Sequence, residues 1–126
     1  MKRGGDRTPD WKLIGIDGET TLHTLIRSPR YHLLLFSGPA SSAVDEGELQ
    51  AVALEALKDF KPSKAVSTHF IMTSLSKSET SYFDENGEVH GLFGFKEAGY
   101  ALIRPDGHVE YIGMLKEADD LRGWLN

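Results

Sequence analysis

The residues of this chain whose types and spacing could do chemistry gather in three places. Ser37 stands where the apolar run Tyr31-His-Leu-Leu-Leu-Phe36 gives way to Gly38-Pro39-Ala40-Ser41-Ser42. A serine at a strand end serves as a nucleophile when a base and an orienting acid lie beside it, but GxSxG does not occur and spacing marks no histidine as its partner. Serine, glycine and proline are also what a turn and a helix cap need, so the loop serines are expected to cap the helix that follows. The five histidines (His23, His32, His69, His90 and His108) include no HxH or HxxxH pair, and no thiolate assists them. No metal site is expected on that ligand arithmetic. Asp84 and His90 form the third place: they could orient a polar contact between domains, and a capped turn is the plainer reading.

Cysteine is absent, which removes disulfides, thiolate metal sites, thiol nucleophiles and every redox-active CxxC arrangement. At 126 residues, 40% hydrophobic and 26% charged, the chain suits one domain with a real core. A net charge of -5 argues against a nucleic-acid partner, which would want a basic face for the phosphates. Met1-Lys-Arg-Gly-Gly-Asp6 is not followed by an apolar stretch, and no run is long enough to span a bilayer, so a cytoplasmic protein is expected. Whether Met1 is a native start or a domain boundary is not legible.

The elements that must position these residues follow from periodicity. Residues 1–10 are polar and read as a segment that ties into a single domain. Trp11 to Ile16 reads as a strand ending at Asp17-Gly18, and Thr20 or Thr21 can cap a short helical turn with Leu22, Leu25 and Ile26. Tyr31 to Phe36 is a strand covered on both faces. Leu49, Val52, Ala53, Ala56, Leu57 and Phe60 recur at helical spacing, with Asp45, Glu46 and Glu48 near the positive end and Lys58 and Lys61 near the negative end. Ala65 to Thr73 reads as a second covered strand, residues 74–80 as a loop, Tyr82 to Gly87 as a turn, and Val89 to Phe95 as one or two helical turns. Tyr100 to Ile103 and Val109 to Ile112 flank Pro105-Asp106-Gly107, the clearest hairpin signal in the chain. Leu115, Ala118, Leu121, Trp124 and Leu125 predict a terminal helix. Parallel strands joined by a covering helix and finished by a hairpin and a terminal helix make a thioredoxin-like, three-layer α/β/α sandwich with a mixed sheet.

Several stretches carry a family resemblance. Gly5-Asp-Arg-Thr-Pro-Asp10 before Trp11-Lys-Leu13, Thr21 to Leu25 before Leu33 to Phe36, Asp84 with His90-Gly-Leu-Phe-Gly94, and above all Arg104-Pro-Asp-Gly-His108 resemble the C-terminal thioredoxin-like domain of class A FAD-dependent aromatic hydroxylases. These include phenol-type and pentachlorophenol-type monooxygenases, and the resemblance covers nearly the whole chain. It implies an upstream FAD portion that uses NAD(P)H and oxygen to hydroxylate phenolic rings. FAD and NAD(P)H belong to that portion: no GxGxxG follows a strand here, so no flavin contact transfers to any position. What transfers is a non-catalytic module that packs on its flavin portion or forms a homodimer.

Thioredoxin-like enzymes place Cys-Gly-Pro-Cys after a central strand, and Ser37-Gly-Pro-Ala40 stands in a comparable place. The proline that precedes the hairpin in redox-active members is replaced by Glu97-Ala98-Gly99. Both losses imply a retained fold and abandoned chemistry. A small enzyme built on Ser37 and a histidine is one alternative. The other is a stand-alone binding domain for a small aromatic ligand, at the C-terminal ends of the strands. Ser37, Gly38, Pro39, Ser41, Ser42, His90, Ala98 and Gly99 are the candidate ligand or interface residues; no catalytic residue is assigned.

Overall fold

The computed structural model describes residues 7–57, 66–75 and 78–115. Strands β1 (Lys12–Gly15), β2 (Gly18–Thr21), β3 (Tyr31–Phe36), β4 (Val66–Met72), β5 (Ser81–Phe83), β6 (Gly99–Ile103) and β7 (Val109–Met114) make one sheet in the order β2-β1-β5-β4-β3-β6-β7. β3 runs parallel to β4, and β4 to β5; the pairs β1/β2, β1/β5, β3/β6 and β6/β7 are antiparallel. The helices are α1 (Leu22–Leu25), α2 (Glu46–Leu57) and α3 (Glu88–Leu92).

The unbroken apolar run of β3 is explained by the two faces that it serves. Successive strand side chains point to opposite faces, so Leu33 and Leu35 join Leu49, Ala53 and Ala56 of α2 on one side. Leu34 and Phe36 join Val89, Phe93 and Phe95 on the other. Helices therefore cover both faces of the sheet, as the sequence pattern predicts. β6 is buried along its whole length, and Tyr100 stacks on Tyr111 of β7 at 5.9 Å.

The hairpin turn is held by short polar bonds. Gly107 takes φ +87° and donates its N–H to the Arg104 carbonyl at 2.9 Å. The Arg104 guanidinium donates to both Asp106 oxygens, at 2.7 and 3.2 Å, which holds that carboxylate well below its ordinary range. Residues 7–10 tie in here: the Thr8 hydroxyl and N–H both donate to the Gly107 carbonyl, at 2.7 and 3.0 Å.

Three expectations need correction. The stretch after Asp17 is a strand, β2, which forms a tight hairpin with β1 before Thr21 caps α1 through the Thr24 N–H. Four residues with a glycine and two threonines carry too little apolar alternation to announce a strand. Tyr82 and Phe83 belong to β5, recruited by β4 through Ile71 and Met72, and only residues 85–87 are a helical turn. The loop serines do not cap α2: Ser41 and Ser42 lie in a single 3-10 turn, and the Asp45 carboxylate accepts from Glu48 N–H at 2.8 Å. Lys58, Phe60, Lys61 and the expected helix beyond Leu115 lie outside the described residues.

Candidate functional site

The end of β3 meets the start of α3 through a buried polar chain. Asp84 follows β5, and its carboxylate accepts the N–H groups of Val89 and His90 at 2.9 and 2.8 Å, closing the first turn of α3. The same carboxylate lies 2.8 Å from His90 Nδ1. On the far side of the ring, Gly38 N–H donates to His90 Nε2 at 3.0 Å. An imidazole nitrogen that accepts carries no proton, so the ring is the Nδ1–H tautomer and Nδ1–H donates to Asp84. Both side chains are buried, at 4% and 1% exposure, and this is where an unpaired polar group costs most. Asp84, His90 and the backbone of Gly38 thus form one fully bonded latch between α3 and the loop after β3.

An Asp–His pair of this geometry is the orienting half of a nucleophilic triad, but its basic nitrogen is spent on a backbone amide. Ser37 is not its partner. The Ser37 hydroxyl is fully buried, accepts Thr73 N–H at 3.0 Å, and lies 3.2 Å from both Gly38 O and the Thr73 hydroxyl. Its work is to pin the ends of β3 and β4 together. Gly38 takes φ +87°, and a Cβ there would stand 2.7 Å from Ala98 N, so the backbones of the two loops touch. Gly99 is packed as tightly, since a Cβ there would run into the Phe95 ring.

Above this latch opens a cleft of about 460 Å³, lined by Pro39, Thr73, Phe83, His90, Gly91 and Phe95 among others. Of the candidate residues, Pro39 and His90 reach it. Ser37 and Gly38 lie beneath it, Ser41 and Ser42 are exposed on the adjoining turn, and Ala98 and Gly99 pack behind the loop. Thr73, Phe83 and Phe95 are lining residues that sequence reading missed, since they come from three separate stretches. Asn86 also lines the cleft, with φ 64° beside Gly87 at φ 66°. That Asn-Gly pair was the available signal for a sharp turn at its rim.

No family model and no curated protein matches this sequence. Solved structures do. A candidate thiol:disulfide interchange protein DsbE from Chlorobium tepidum aligns over 98% of this chain and 97% of its own, with TM-score 0.70 and 19% identity. The fold is thioredoxin-like. The thioredoxin domain of a thiol-disulfide oxidoreductase from Bacteroides vulgatus aligns over 100% of both chains, with TM-score 0.61 and 13% identity. The flavin-dependent monooxygenase PieE aligns with 94% of this chain but with 18% of its own, at TM-score 0.66 and 21% identity. At such identities the likeness is one of fold. The thiol-disulfide proteins take their activity from cysteines, and this thioredoxin-like chain has none.

The motifs that carry the hydroxylase resemblance turn out to be clamps. Asp10 accepts the N–H groups of Trp11 and His23, both at 3.0 Å, and His23 Nε2 donates to the Thr8 carbonyl at 2.7 Å. Asp84 and His90 form the latch, and Arg104, Asp106 and His108 set the hairpin turn. Each joins elements distant in sequence or closes a turn. Among the described residues no group of three or more histidines and carboxylates is placed to hold a metal, and no helix is long and apolar enough to cross a membrane.

Proposed function

We propose that this thioredoxin-like chain is the non-catalytic packing and assembly module of an FAD-dependent aromatic-ring monooxygenase. In this reading an associated FAD portion, in the same or a partner polypeptide, carries the NAD(P)H- and oxygen-dependent hydroxylation of phenolic substrates. The observation that carries it is the latch: Ser37-Gly-Pro-Ala40, the stretch comparable in sequence to a Cys-Gly-Pro-Cys loop, holds a buried serine and a backbone amide bonded to His90. The likeness to a segment of PieE supports the flavin association, and the clamps made by the resemblance motifs support a structural role. The test is the mass and absorbance spectrum of the native species, captured from source cells with an antibody to this domain. A species several times larger than 14.0 kDa with flavin bands is expected. A colourless species of the chain's own size overturns the proposal.

The cleft favours a second reading, a stand-alone domain that binds a small aromatic ligand between Phe83, Phe95 and His90. Such a ligand would raise the unfolding temperature in a screen of phenols and aromatic acids, since binding to the folded state alone stabilises it.

A further inference from the structure

A second cleft, of about 680 Å³, lies between the β1–β2 turn, α1, His69 of β4 and Tyr82 of β5. His69, in its wall, is the outer member of a pair of bonded histidines. The Ser28 carbonyl can only accept, so His32 Nε2, 3.0 Å away, carries the proton and donates. His32 Nδ1 is then a lone pair, and His69 Nε2, 3.0 Å from it, must be the donor. The two rings stack at 5.2 Å, and His32 is 1% exposed. Burial first, and the neighbouring His32 second, hold His69 down at about 4, so its ring is neutral near pH 7. With Nε2 committed to His32, His69 Nδ1 is an acceptor that makes no hydrogen bond to any described residue.

The rest of the lining matches that acceptor. Asp17, Glu19 and Glu79 are carboxylates, and among the described residues no lysine or arginine lines the cleft. Carboxylates on a surface are ordinarily a solvated face; here they surround an aromatic wall. The Tyr82 ring packs on Gly15, where a Cβ would stand 3.1 Å from it, and burial together with Asp17 raises the phenol above its ordinary range. Tyr82 therefore stays neutral and gives the lining an aromatic ring, while Ile16 and Leu25 add apolar surface. A ligand suited to these walls carries positive charge, at least one N–H to donate, and an apolar body.

We propose that this cleft, between the β1–β2 turn and the His69–Tyr82 pair, binds a small organic ammonium ion whose N–H donates to His69 Nδ1. The experiment is a titration of the full chain, at pH 7, with phenethylammonium chloride, read by the side-chain nitrogen resonances of His69. Sodium phenylacetate tests the charge, and trimethyl(phenethyl)ammonium, a cation without N–H, tests the hydrogen bond. Saturable binding of phenethylammonium is expected, with the Nδ1 resonance moving, no binding of phenylacetate, and at least threefold weaker binding of the trimethyl compound. His69→Phe strips His32 of its donor and risks the fold. Asp17→Asn and Glu79→Gln, both exposed, therefore serve as the variants. Each should weaken binding roughly threefold, the size expected of one exposed charge pair. No saturable shift, equal binding of phenylacetate or of the trimethyl compound, or unchanged affinity in both variants overturns the proposal.

Discussion

Asp84, 1% exposed at the base of the first cleft, accepts three hydrogen bonds, and its removal strands every donor at once. Asp84→Ala should cost about 3 kcal/mol, at the level found when a buried charged acceptor is lost, and urea unfolding measures it. His69 gives the chain a pH dependence with a definite sign. Its folded pKa, about 4, lies below its ordinary 6.5, so between these values the unfolded chain binds a proton that the folded chain refuses. Stability is full above about pH 6.5, falls as the pH drops toward 4, and then levels. At about 1.4 kcal/mol per unit the loss is on the order of 3 kcal/mol. Unfolding midpoints of the native chain and His69→Gln from pH 7 to 4 check it: the variant's curve should be flatter. An equal slope would refute the assignment. The His32–His69 contact could not be read from sequence, since the two stand 37 residues apart.

The elements are joined where backbones approach too closely for side chains. Gly99 opens β6 against the Phe95 ring, with the Gly113 carbonyl also within 2.8 Å of any added Cβ. Gly99→Ala should therefore displace Phe95 from its place 4.6 Å from Phe36, costing about 2 to 3 kcal/mol as an overpacked site does. Calorimetry should show a midpoint lower by roughly 10 °C, given the shift per kcal/mol for domains of this size. Elements with strong local signals were legible: β3, the hairpin of β6 and β7, and α2 each carry a period or a turn motif of their own. β2 and β5 were not. Both are short, and each exists because a neighbour offers a row of unpaired backbone groups, a cause that lies outside their own residues.

For the molecule as a whole, the sequence holds no cysteine, and the structure fills the loop after β3 with buried polar contacts. The loop after β3 closes on itself through Ser37, Thr73, Gly38 and His90, so its polar groups form an interior joint. The chain aligns with 18% of the length of a flavin-dependent monooxygenase. Large apolar side chains stay exposed, Leu54 at 65% and Leu75 at 77% among them.

Local patterning was enough for the two-faced β3, the covering helix and the turn at Pro105 to Gly107, because each depends on residue type and short-range spacing. Asp84 and His90 were singled out from the chain as a pair. Only the fold turned them into a latch, by bringing the Gly38 amide to His90 across 52 residues. The two clefts are likewise products of tertiary packing. A cleft is the space left between elements, and its lining is drawn from stretches whose common direction no local pattern encodes.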